Sequence, residues 1–142
     1  MTKKILITGF EPFGGEAINP SLEAVMSLPD QIDNIAIKKA GLPVAFGKSA
    51  DVLRNMLNKD AFDAVICVGQ AGGKANINIE RIAINIDDTK FPDNEGVAPT
   101  DTPIYADGPA AYFATLPIKK IAASLVEANI PAVVSNTAGT YV

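Results

Sequence analysis

The chain has 142 residues, enough for one domain that buries about 70% of its unfolded surface without covalent staples. Hydrophobic residues make up 48% and charged residues 20%, which is ordinary globular usage. The net charge of -4 argues against a nucleic-acid binder, which would carry a basic face.

A single cysteine, Cys67, rules out an intramolecular disulfide and fits a reducing compartment. The N-terminal stretch MTKKILITGF has two lysines but no long apolar region and no cleavage site. No apolar run approaches the roughly 18 residues that span a bilayer. The expectation is a soluble, cytoplasmic protein with no nucleic-acid or membrane partner. The composition contains no histidine at all. Ser-His or Cys-His chemistry therefore cannot be completed within these residues, and the usual zinc sites are nearly excluded.

Lys3 to Thr8 is a short apolar run closed by Gly9 and reads as a first buried strand. Gly9 to Gly15, GFEPFGG, reads as a loop. Asn19 can cap the helix that follows, Pro20 suits its first position, and Leu22, Val25 and Met26 share a face before Pro29 ends it. Asn34 to Pro43 gives a second strand, and Phe46 to Asn58 a second helix with Ala50, Leu53, Met56 and Leu57 at helical spacing. Asp63 to Gln70 is the clearest buried strand and ends at the turn GQAGG. Cys67 lies inside it, so a structural role in the core is expected rather than a nucleophilic one.

Residues 76 to 86, NINIERIAINI, alternate with a change of phase, which predicts a bulge near Glu80 and Arg81. A regular second half turns Glu80 to the same side as Ile82, Ile84 and Ile86, placing a carboxylate on an apolar face. The plainer alternative is a salt bridge with Arg81 or Lys74 on an exposed bulge. Residues 87 to 115 read as a long loop, a lid or an interface, with Asp87, Asp88, Asp93 and Glu95 as a solvated acidic turn. Leu116 to Pro131 forms a third helix, and residues 132 to 136, AVVSN, a last buried strand. Strands alternating with amphipathic helices predict a mostly parallel sheet with helices on both faces.

The loop GFEPFGG follows a strand and precedes a helix, where ligands bind in such sheets. Phe10 and Phe13 could sandwich a small flat ligand there, or simply pack beneath the loop. The glycine spacing fits neither dinucleotide-binding nor P-loop fingerprints, so a nucleotide-binding domain ranks last.

Taken together, the segments ILITGFEPFGGEAINPS, LPVAFGKSA, ICVGQAGG, IERIAINIDD, PDNEG, DGPAAYFATLPIK and VSNTAGTYV resemble the pyroglutamyl-peptidase I (pyrrolidone-carboxylate peptidase) family of cysteine peptidases. They run in family order from residue 5 to 142. The resemblance implies a three-layer α/β/α sandwich with a mostly parallel twisted sheet. It implies removal of N-terminal pyroglutamate from peptides by a Cys-His-Glu/Asp arrangement, without metal or organic cofactor, and a homo-oligomer, often a homotetramer. It maps the catalytic acid onto Glu80, the aromatic substrate clamp onto Phe10 and Phe13, and a glutamine near the lactam onto Gln70. Two positions depart from the family pattern: Asn78 stands where a hydroxyl residue is common, and Lys90 where arginine is common. In the family, SNTAGTYV leads directly into the nucleophilic cysteine, and the histidine lies further on. The expectation is therefore a single domain over residues 1–142, truncated just before the nucleophile and inactive as written. The alternative is a non-catalytic pyroglutamate-binding or assembly protein on the same fold.

Overall fold

A computed structural model describes residues 2–142. The chain is α/β and its described residues divide into two compact units: residues 2–70 with 91–97 and Val142, and residues 71–90 with 98–141.

In the first unit, β1 (Lys3–Phe10) is flanked by parallel β3 (Ile35–Leu42) on one side and parallel β4 (Ala64–Cys67) on the other. A two-residue strand that the sequence pattern did not reveal, β2 (Gln31–Ile32), pairs antiparallel with β3, giving the order β2-β3-β1-β4. The helix α1 (Pro20–Ser27) starts as its sequence predicts: Asn19 caps it by accepting from the Ser21 N–H, and Pro20 occupies the first turn. It packs against β1 and β3. Gly9 and Gly41 stand side by side in register, and a Cβ on Gly9 would meet the α1 backbone at 2.8 Å. These two glycines let the helix approach the sheet this closely. Leu6 and Thr8 are fully buried and alternate with Gly9 along β1, so both faces of this strand are covered. Leu42, Val44, Ala45, Val25 and Ile37 complete the core. The second helix, α2 (Lys48–Lys59), packs against β3 without burying any residue fully.

The second unit is built from pairs. β5 (Ile77–Glu80) runs parallel to β10 (Ala132–Ser135), and α3 (Ile118–Glu127) packs on both. β6 (Ile82–Ile84) pairs antiparallel with β9 (Ala111–Phe113), and β7 (Ile86–Asp87) with β8 (Thr102–Pro103). The segment 76–86 is thus three strands with three partners, in place of one kinked strand. The long loop expected over 87–115 carries β8 and β9. α3 closes with a left-handed Asn129 (φ 61°); the Asn129 N–H bonds the Val126 carbonyl, and the Ile130 N–H joins that of Ala128 on the Leu125 carbonyl. No helix among the described residues is long and apolar enough to cross a membrane.

Two expectations need correction. Cys67 is exposed: β4 is the edge strand of its sheet, and none of its residues falls in the buried class. Asp93 is not solvated but 6% exposed, with its carboxylate turned onto backbone N–H groups.

Candidate functional site

The parallel strands β1, β3 and β4 of the first unit end on the same side, the usual location of a site in such sheets. Phe10 is the last residue of β1, half-buried; a Cβ built on Gly69 would lie 3.9 Å from its Cε2. Its ring therefore lies beside Gly69, in the segment that follows β4. Gln70 itself is exposed.

Phe13, also half-buried, sits three residues beyond Phe10, and its carbonyl accepts from the Glu16 N–H at 3.2 Å. Between Phe13 and Glu16, Gly14 and Gly15 take φ of 64° and 79°, left-handed values that turn the chain back toward α1. The buried pair Asn19 and Ser21 reaches into this loop: Ser21 Oγ accepts from the Phe10 N–H at 2.9 Å, and Asn19 Nδ2 donates to the Glu11 carbonyl at 3.1 Å. Phe10, Phe13 and Gln70 thus all belong to this end of one sheet.

The segment PDNEG joins the same unit. Burial pushes the Asp93 carboxyl up, but N–H groups of Val97, Phe46 and Glu95, with the Lys48 charge beside them, hold it below the usual carboxylate range. Sequence reasoning missed this role; the hint was an aspartate two residues before an amide it can bond in an Asx turn.

Glu80 lies in the second unit, at the end of β5, in register with Ser135 at the end of β10. Of the two alternatives read from the sequence, the salt bridge with Arg81 or Lys74 is absent among the described residues. Glu80 and Ile82 belong to different strands with different partners, and among the described residues Glu80 makes no ion pair. Arg81 instead donates through Nε to Asn136 Oδ1 at 2.9 Å. Glu80 Oε2 is buried with no hydrogen-bond partner. A carboxylate oxygen withdrawn from water and left unpaired is costly, and such groups concentrate at functional sites. Asn78 pairs in register with Val133, and Lys90 is exposed, without an ion pair among the described residues. Among the described residues, no three His, Cys, Asp or Glu side chains converge as metal ligands would.

This α/β arrangement is shared with known proteins. The family model described as "Pyroglutamyl peptidase" matches residues 3–142, through both units. A pyrrolidone-carboxylate peptidase of Streptococcus pyogenes is 59% identical over 139 residues, 98% of this chain. One of Thermosipho africanus is also 59% identical over 98% of the chain and 68% of its own length. The crystal structure of pyroglutamyl peptidase I from Bacillus amyloliquefaciens superposes with a TM-score of 0.95 at 48% identity, covering 99% of this chain and 68% of that one. The fold class is therefore that of the pyroglutamyl peptidases, and the chain belongs to the pyroglutamyl peptidase family. It spans 65% of the length of the Streptococcus relative.

Proposed function

We propose that this chain carries the recognition elements and the acid of a cysteine peptidase that removes N-terminal pyroglutamate from peptides. The observation that carries the proposal is the unpaired, buried Oε2 of Glu80, at the position where the family resemblance puts the acid. In a Cys-His-acid device the acid accepts an imidazole N–H and so fixes the ring's orientation and tautomer. Glu80 Oε2 has its lone pairs available for that bond. Phe10 and Phe13 are the faces between which a flat lactam is held, and Gln70 supplies amide hydrogen bonds to it.

The same 142 residues contain no histidine, and their one cysteine stands exposed on an edge strand. They provide recognition and the orienting acid, but no imidazole to accept the thiol proton. A preparation of these residues alone is expected to bind free pyroglutamate and not to hydrolyse a pyroglutamyl chromogenic substrate. Turnover would overturn the division of roles; absence of binding at millimolar ligand would overturn the recognition reading. A second reading, a non-catalytic pyroglutamate-binding or assembly protein, keeps the same recognition loop, held by Ser21 and Asn19. Binding lost in a Phe10→Ala/Phe13→Ala double variant, with no peptidase activity under any condition, is its signature.

We further read the chain as a cytoplasmic member of a homo-oligomer. An exposed free thiol suits a reducing compartment. The second unit leaves Ile84, Phe113 and Val126 exposed, apolar side chains open to a contact with a second copy. Light scattering that returned a monomer would sink the oligomer reading.

A further inference from the structure

The loop that carries Phe10 and Phe13 is held by two asparagines from distant parts of the sequence, on successive carbonyls. The residues between the rings are Glu11 and Pro12. Asn19 Nδ2 donates to the Glu11 carbonyl at 3.1 Å, and Asn94 Nδ2 donates to the Pro12 carbonyl at 2.9 Å. The Glu11 N–H is bound as well, to the Leu42 carbonyl at 2.9 Å. Pro12 has no N–H and a ring-fixed φ, so pinning its carbonyl removes most of the freedom it has left. Asn94 is itself anchored. Its N–H donates to the Val44 carbonyl at 3.0 Å. Its neighbour Asp93 accepts from the N–H groups of Phe46 at 2.8 Å, Glu95 at 2.8 Å and Val97 at 2.9 Å.

Asn19 also caps α1, so its loss would disturb the helix. Asn94 is exposed, caps nothing, and its side chain reaches across 82 positions of sequence to one carbonyl. We infer that Asn94 is a positioning residue for the aromatic pair, setting the backbone from which both rings project, and that Asp93 positions Asn94. The inference rests on reading Phe10 and Phe13 as the substrate clamp. A loop fixed before the ligand arrives does not lose its ordering entropy on binding, and the consequence is tighter capture of a small rigid ligand.

The test compares the 142-residue protein with Asn94→Ala and Asn94→Asp. Both keep the backbone bond to Val44; the second also sets a carboxylate against the Pro12 carbonyl. Hydrogen exchange is read by segment, fluorine resonances are read from fluorophenylalanine-labelled protein, and free pyroglutamate is titrated. Expected is about tenfold faster exchange confined to residues 11–18, shifted or broadened Phe10 and Phe13 signals, and about tenfold weaker pyroglutamate binding. Unchanged exchange and unchanged fluorine signals would overturn the inference. So would faster exchange throughout β1 and β3, which marks a merely structural residue. If the loop responds but the unsubstituted protein binds no pyroglutamate, the positioning stands and the pyroglutamyl reading falls. Should Asn94→Asp fail to fold, Asn94→Ala together with Asp93→Asn reports the same local signature.

Discussion

The two units are built to different standards. The first contains Leu6, Val25, Ile37, Leu42, Val44 and Ala45 as a closed core, with Asn19, Ser21 and Asp93 buried and hydrogen-bonded. The second buries only Ala122 and Asn85, and exposes Ile77, Ile84, Phe113, Val126 and Val133. Their charges differ in the same sense. Asp30, Asp60, Asp63 and Asp93 in the first unit are all held below the usual carboxylate range by hydrogen bonds and lysines, whereas burial pushes Asp87 in the second up. The residues read as a clamp thus sit on a packed, satisfied scaffold, while the residue read as the acid sits where burial is thin and its own oxygen is unpaired. Recognition of a rigid ring gains from preorganisation, and a catalytic acid must keep capacity for a partner. On the proposed roles, the contrast matches those two tasks.

The largest break in the comparison should come from truncating matched apolar side chains. Leu6→Ala removes a fully buried side chain and is expected to cost about 2–5 kcal/mol by urea unfolding. Val126→Ala, at a residue 55% exposed, is expected to stay within about 0.5 kcal/mol. Equal losses at the two positions would mean that the second unit is as tightly closed as the first.

A smaller effect, of opposite sign, sharpens it. Thr8 is fully buried and its Oγ1 has no hydrogen-bond partner, one flaw in the otherwise satisfied first unit. Thr8→Val removes the hydroxyl and keeps the shape, so the protein should gain about 1 kcal/mol. A loss would show that the hydroxyl has a partner in solution. The parallel change in the second unit is Glu80→Gln, which replaces a half-buried carboxylate whose Oε2 is buried without a partner. The thermal midpoint should hold or rise while any activity that depends on the acid disappears. A fall in the midpoint would make Glu80 a structural residue.

How much of this was legible in the sequence follows from how local each signal is. β1, β3 and the three helices were readable because an apolar run or a helical repeat is complete within a dozen residues, and the Asn19-Pro20 start of α1 carries its own cap. β2, β8 and β9 were not, because two or three residues hold no period and are strands only by virtue of a partner elsewhere. The same limit applies to 76–86, where alternation showed strand but could not show that three different neighbours take it in turn. Cys67 misled because an apolar run cannot say whether its strand is central or at an edge. Of the candidate site, Phe10, Phe13, Gln70 and Glu80 were named from motifs. Asn94 was not, since its significance lies in one bond to Pro12 that no spacing reveals.

The smallest predicted effect is in the pH dependence, and there the two units should move in opposite directions. Asp87, in β7, has its folded pKa raised by burial above the ordinary value near 3.8. The charged form is the one penalised, so the penalty is full above the folded pKa and fades as pH falls toward the unfolded value. Asp87→Asn should therefore stabilise the protein at neutral pH, and that gain should shrink on acidification toward pH 3.8. Asp93 has its folded pKa lowered, so its contribution is full above the unfolded value near 3.8 and is lost only as pH falls through the folded pKa below it. Asp93→Asn should accordingly cost the same at pH 7 as at pH 5, with the cost declining only at more acid pH. Urea unfolding of the three proteins across this range measures both differences. If the two variants converged on the parent over the same pH interval, the electrostatic contrast between the units would be gone, and with it the argument that one is satisfied by its own backbone while the other is strained by burial.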